Sequence, residues 1–157
     1  MKRILIALDY NPTAQKVVET GYNLAKAMHA QTILLHVTSD ATYYSPLNYS
    51  PIMGFEFFSN AVDPITSEEI TRAAHDYLDK WKQHLGDENI QTEVKYGAIG
   101  ETIIDTATEL NVDIIVMGTH SRRGLEKILL GSVAENVLRR SSTPLLIIPT
   151  KIIEGAK

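Results

Sequence analysis

Cysteine is absent from all 157 residues. That absence excludes disulfides, thiolate nucleophiles, zinc fingers and cysteine-bound iron–sulfur clusters. Long apolar runs are also missing, and none reaches the roughly 18 residues that a membrane span requires. The opening MKRILIALD is basic at first, but its short apolar stretch ends at Asp9 and no small-residue cleavage site follows. It reads as a strand rather than a signal peptide, and the expected compartment is the cytoplasm. A net charge of −4 argues against broad binding to a nucleic-acid backbone. Three chemical signatures are missing as well: no G-x-x-x-x-G-K-[ST] loop, no G-x-G-x-x-G after a strand, and no G-x-S-x-G elbow. There is no internal repeat, low-complexity tract or domain linker.

What remains is an ordinary globular composition, 44% hydrophobic and 22% charged. The length suits one domain, residues 1–157, built on one core. Strand and helix patterns alternate. Arg3 to Asp9, Thr32 to Val37 and Asp113 to Met117 are nearly continuous apolar runs, as strands covered on both faces require. Pro144 to Pro149 is another, while Gln91 to Tyr96 alternates and reads as a strand nearer an edge. Between them lie helical stripes. The first is Ala14, Val17, Val18, Gly21, Leu24, Ala25 and Met28, opened by Asn11 as cap and Pro12 as first helical residue. The second is Ile70, Ala73, Ala74, Tyr77, Leu78, Trp81 and Leu85, with Thr66 and Glu69 as a capping box and Gly86 as the stop. Tyr77 and Trp81 read as packing residues. Glu101 to Leu110 and Ser132 to Arg140 complete the set, the latter with a second capping box from Ser132 and Glu135.

This order predicts a doubly wound α/β fold, a five-stranded parallel sheet with helices on both faces. Right-handed crossovers give the strand order 3-2-1-4-5, with the first helix expected on one face and the later helices on the other. Residues 38–65 stand apart. They hold several tyrosines and prolines without a clean period, and read either as a surface flap or as a lid or partner-contact segment. Residues 150–157 form a tail.

Ligands in such sheets bind beyond the carboxyl ends of the strands, where the strand order reverses. That point lies after Leu8 and after Met117. Asp9 follows the first strand, and its carboxylate can accept hydrogen bonds from ribose hydroxyls. Gly118-Thr119-His120-Ser121-Arg122-Arg123-Gly124 follows the fourth, and Gly131-Ser132-Val133 opens a helix. Gly118 and Gly131 permit close backbone approach and unusual dihedrals. The amides of Ser132 and Val133 project from a helix N-terminus, where the dipole favours an anion. The Ser132 hydroxyl can cap its helix or meet a phosphate. Arg122, Arg123 and Lys127 can neutralise phosphates or remain solvated. His29, His36, His75, His84 and His120 have no metal-ligand spacing and read as surface or hydrogen-bonded histidines. His120 alone lies in the phosphate loop, where a direct ligand role is open to it.

With its Gly118-x-x-Ser121, nine intervening residues and Gly131-Ser132, the chain resembles the universal stress protein family. VDIIVMGTH, SVAENVLRRSSTPLLIIP, ILIALD, LLHV and YGAIGETI extend the likeness to everything except the 38–64 segment. The resemblance implies an adenine nucleotide alpha-hydrolase-like fold and binding of ATP, ADP or AMP. It places Asp9 on the ribose, Val37 against the adenine, Ala7 and Leu8 along the base pocket, and Met117 and Gly118 near base and ribose. Ser121, Gly131, Ser132 and Val133 would hold phosphates. Any Mg²⁺ or Mn²⁺ would be held mainly by those phosphates.

Ser121 stands where the family's ATP-binding motif has a second glycine. At positive φ a serine costs roughly 1 kcal/mol; at negative φ it is harmless and its hydroxyl adds a donor. The fourfold apolar run Leu145, Leu146, Ile147 and Ile148 falls on an edge strand, which needs a cover. The resemblance implies a homodimer through this strand. The expected function is a nucleotide-binding stress-response module rather than a catalyst. The alternatives are a non-nucleotide interaction module of the same fold and a slow ATPase, for which no general base is evident.

Overall fold

The computed structural model of the chain describes residues 1–39, 66–119 and 130–150. Five strands run β1 (Arg3–Ala7), β2 (Gln31–Thr38), β3 (Gln91–Tyr96), β4 (Ile114–Gly118) and β5 (Leu145–Ile148). Among the described residues four helices alternate with them: α1 (Ala14–Ala27), α2 (Ser67–Leu85), α3 (Ile99–Glu109) and α4 (Ser132–Arg140). All neighbouring strands are parallel, in the order β3-β2-β1-β4-β5. The doubly wound five-stranded sheet is the one that the sequence pattern predicts. None of the described helices is long and apolar enough to cross a membrane.

The helices divide two and two. One core cluster joins Ile4, Ile6, Leu34 and Val116 of the sheet to Val17 and Val18 of α1 and to Tyr77, Leu78 and Trp81 of α2. The other joins Leu5, Ile33, Leu35 and Ile115 to Ile103 and Ala107 of α3 and to Ala134 and Val137 of α4. The expectation that every helix after the first shares the opposite face therefore fails for α2. The reason is handedness. The steps β1 to β2 and β2 to β3 move the chain in one direction across the sheet, so right-handed crossovers put both helices on one face. The steps to β4 and β5 run the other way and put α3 and α4 on the other.

Local start signals held at α2 and failed elsewhere. Thr66 accepts the Glu69 amide at 3.2 Å and the Glu69 carboxylate accepts the Thr66 amide at 2.8 Å. At its far end Gly86 adopts φ 67°. The first helix instead begins at Ala14, after Thr13, which makes no side-chain cap bond. Asn11 holds the preceding turn: its Oδ1 accepts the Thr13 amide at 3.0 Å and the Thr13 hydroxyl at 2.8 Å. Pro12 therefore lies in that turn rather than in the helix. At α4, Gly131 is the cap position and Ser132 is already helical, so the Ser132–Glu135 box does not form. The third helix starts at Ile99, two residues before the predicted Glu101.

Gly21 sets the distance between α1 and the sheet. A Cβ there would lie 2.8 Å from Ile6 Cδ1 and 3.1 Å from Val116 Cγ1. Gly21→Val is expected to destabilise the fold by about 1–3 kcal/mol, as overpacking does. Urea unfolding should show a lower midpoint at unchanged slope.

Candidate functional site

The carboxyl ends of β1, β2 and β4 lie side by side, with Ala7 opposite Leu35 and Ile6 opposite Val116. Because alternate strand residues face opposite sides, the expected ligand residues separate. Val37 and Met117 are buried in the α3/α4 cluster, and Ala7 and Val133 pack against it. These four share one side. Leu8 does not: its side chain is buried in the α1/α2 cluster, so it offers that side only backbone. Gly118 also looks toward α1. A Cβ on it would meet Thr150 Cγ2 at 2.6 Å and Val17 Cγ2 at 3.0 Å. Its missing side chain is thus explained by close packing at the end of β4.

The N-terminus of α4 is held against β4 by backbone. The Gly131 amide donates to the Thr119 carbonyl at 2.8 Å, and the Thr119 amide donates to the Ile148 carbonyl at 3.1 Å. The Thr119 hydroxyl lies 3.1 Å from the Thr150 hydroxyl and accepts the Thr150 amide at 3.1 Å. Gly131 has φ −61° and ψ 159°, extended backbone open to any residue, so the unusual dihedral expected there is absent. Its amide is also committed. The donors that α4 presents are the first-turn amides from Ser132 onward, which have no carbonyl one turn earlier. The Ser132 side chain is exposed and does not cap the helix.

Asp9 is exposed between two buried neighbours, Leu8 and Tyr10. Its Oδ1 accepts the Asn11 amide at 3.0 Å. The backbone around it is gripped from the α1/α2 side. His36 Nδ1 lies 2.7 Å from the Leu8 carbonyl, and the Tyr77 hydroxyl donates to the Asp9 carbonyl. A carbonyl only accepts, so His36 carries its proton on Nδ1. Burial pushes the His36 pKa down, against the opposing pull of that carbonyl and of Asp9. Burial likewise raises the Tyr77 hydroxyl above the usual phenol range. The Tyr10 ring stands 4.4 Å from His36 and 4.7 Å from Tyr77 between centroids. Among the described residues no cluster of three or more histidine or acidic side chains is placed to hold a metal. His120, Ser121, Arg122, Arg123 and Lys127 lie outside the described residues.

The universal stress protein family model matches residues 1–149. This chain belongs to that family. Universal stress protein MJ0577 of Methanocaldococcus jannaschii is 29% identical over 155 residues, 96% of each chain. The solved structure of MJ0577 superposes with a TM-score of 0.71, covering 97% of this chain and 98% of that one. A universal stress protein in complex with cAMP has a TM-score of 0.62 at 23% identity, covering 96% and 98%. One from Archaeoglobus fulgidus in complex with dAMP has a TM-score of 0.60 at 18% identity, covering 94% and 97%. The last two likenesses are of fold.

In this universal stress protein two site-adjacent residues escaped the sequence reading. Tyr77 reads as helix packing, and His36 as one more surface or hydrogen-bonded histidine. The signal for His36 lay in LLHV: an imidazole at a core-facing position of a fully apolar strand must find a buried partner. Its depressed pKa has a measurable consequence. The unfolded chain, with an ordinary value near 6.5, binds the proton first as pH falls. This contribution to stability is therefore full above about pH 6.5 and declines below it, by up to about 1.4 kcal/mol per pH unit. Urea unfolding from about pH 8 to about pH 5 should show this loss. His36→Asn should flatten it.

Proposed function

We propose that this universal stress protein binds an adenine nucleotide, ATP or AMP, and acts as a stress-response signalling module rather than a catalyst. The observation that carries the reading is the meeting of two surfaces at the carboxyl end of the sheet. Ala7, Val37 and Met117 provide apolar contact on the side of α4. The first turn of α4 provides anion-facing amides, anchored through Gly131 to Thr119. A flat apolar base and a phosphate chain need that combination. In this reading Asp9 takes the ribose, the Val37 backbone meets the adenine edge, and Met117 and Gly118 flank base and ribose. Leu8 contributes main chain. Phosphates fall to the amides of Ser132 and Val133, with Gly131 shaping the approach and Ser121, Arg122 and Arg123 adding donors and positive charge. Mg²⁺ or Mn²⁺ would ride mainly on the phosphates. The cAMP and dAMP complexes of two neighbours in fold support the nucleotide class.

The partner in this reading is a second copy of the chain, in the cytoplasm. β5 is the last strand of the sheet, with Leu145, Leu146 and Ile147 half-buried and Ile148 buried. Strand-to-strand pairing about a two-fold axis would satisfy its outer edge.

Purified protein, denatured and chromatographed, is expected to release adenine nucleotide, or else to bind added ATP with Mg²⁺ in calorimetry. Gly131→Val should weaken that binding by at least roughly tenfold. Its extended backbone tolerates valine, so the fold should persist in circular dichroism. Unchanged affinity would remove the α4 N-terminus from the site. Light scattering should give a dimer, and a monomer at working concentration refutes the β5 pairing.

A further inference from the structure

The backbone that carries Asp9 leaves the sheet ladder at the end of β1, yet it is held at two successive carbonyls. After Ala7, the Leu8 amide still donates to the Leu35 carbonyl at 2.9 Å. Beyond that atom the ladder stops. The Leu8 carbonyl goes to His36 of β2, and the Asp9 carbonyl goes to Tyr77 of α2. Two elements far apart in sequence thus supply one side-chain donor each to adjacent peptide units. Both donors are buried, Tyr77 at 0% and His36 at 4% exposure. The buried Tyr10 ring packs against both, 4.4 Å from the His36 ring and 4.7 Å from the Tyr77 ring between centroids. Leu8 and Tyr10 are pinned in the α1/α2 cluster on either side of Asp9, whose side chain is exposed just past the end of β1.

We propose that His36 and Tyr77 are positioning residues that fix the direction of the Asp9 carboxylate from behind the sheet, and so set selectivity for ligands bearing free ribose hydroxyls. Simple packing would need neither hydroxyl nor imidazole: phenylalanine and leucine would fill the same core. A buried donor is tolerated only with a partner, and here both partners are carbonyls of the peptide units flanking the Asp9 side chain. The His36 bond rests on Nδ1–H, 2.7 Å from the Leu8 carbonyl, which only accepts. The ligand part of this inference rests on the nucleotide reading; the mechanical part does not.

Tyr77→Phe removes one oxygen and leaves the ring in place. His36→Leu removes the second donor, and His36→Asn returns an N–H near the same point. In ligand-free protein, NMR hydrogen exchange at the Asn11 amide, which rests on Asp9 Oδ1, should speed up by about tenfold in Tyr77→Phe and His36→Leu and recover in His36→Asn. Unchanged exchange in the first two variants overturns the clamp, whatever the protein binds. In calorimetry, Tyr77→Phe should weaken ATP by about tenfold while leaving 2′,3′-dideoxy-ATP unaffected. In an Asp9→Asn background it should have no further effect on ATP. Equal weakening of both ligands makes Tyr77 a packing residue and overturns the positioning role. Wild-type protein that binds neither ATP nor AMP overturns the nucleotide reading and the ribose selectivity; the exchange measurement then decides the clamp by itself.

Discussion

A right-handed crossover leads off a parallel strand in only one way, and nearly everything in this molecule follows from that restriction. Two steps in one direction lay α1 and α2 on the same face. Two steps back lay α3 and α4 on the other. Between the outward and returning halves, β1 and β4 lie next to each other. In sheets wound this way, that junction is where ligands bind, a consequence of winding before any side chain specialises it.

Specialisation then works by dividing labour between the two faces. On the α3/α4 side lie small and apolar side chains at the strand ends and the first turn of α4. On the α1/α2 side, aromatic and imidazole groups hold the main chain still. Alternation along a strand makes the division possible, since each residue serves one side only. Leu8 is buried in the α1/α2 core, while its neighbour Asp9 is exposed just past the strand end. Close packing also accounts for Gly118: its bare Cα accommodates Val17 and Thr150.

The architecture was legible because its signals are redundant. Apolar runs at Arg3, Thr32 and Asp113, helical stripes between them and a capping box at Thr66 all point to one fold. Helix starts were less legible. A polar residue near a start can organise the turn ahead of it, as Asn11 does, or lie one position too late, as Ser132 does. Those outcomes depend on where the loop is pulled by tertiary contacts. Face assignment of α2 was implicit in the handedness rule and needed only the direction of each step. The roles of His36 and Tyr77 were not legible, because their partners are carbonyl oxygens, which every residue has and no sequence pattern marks.

Thr119 makes two backbone bonds in opposite directions: its amide binds Ile148 of the edge strand and its carbonyl binds the amide at the head of α4. A single peptide segment is therefore a mechanical coupling between the rim of the sheet and the helix dipole. The end of β5 and the start of α4 are in this way joined through the backbone of one threonine.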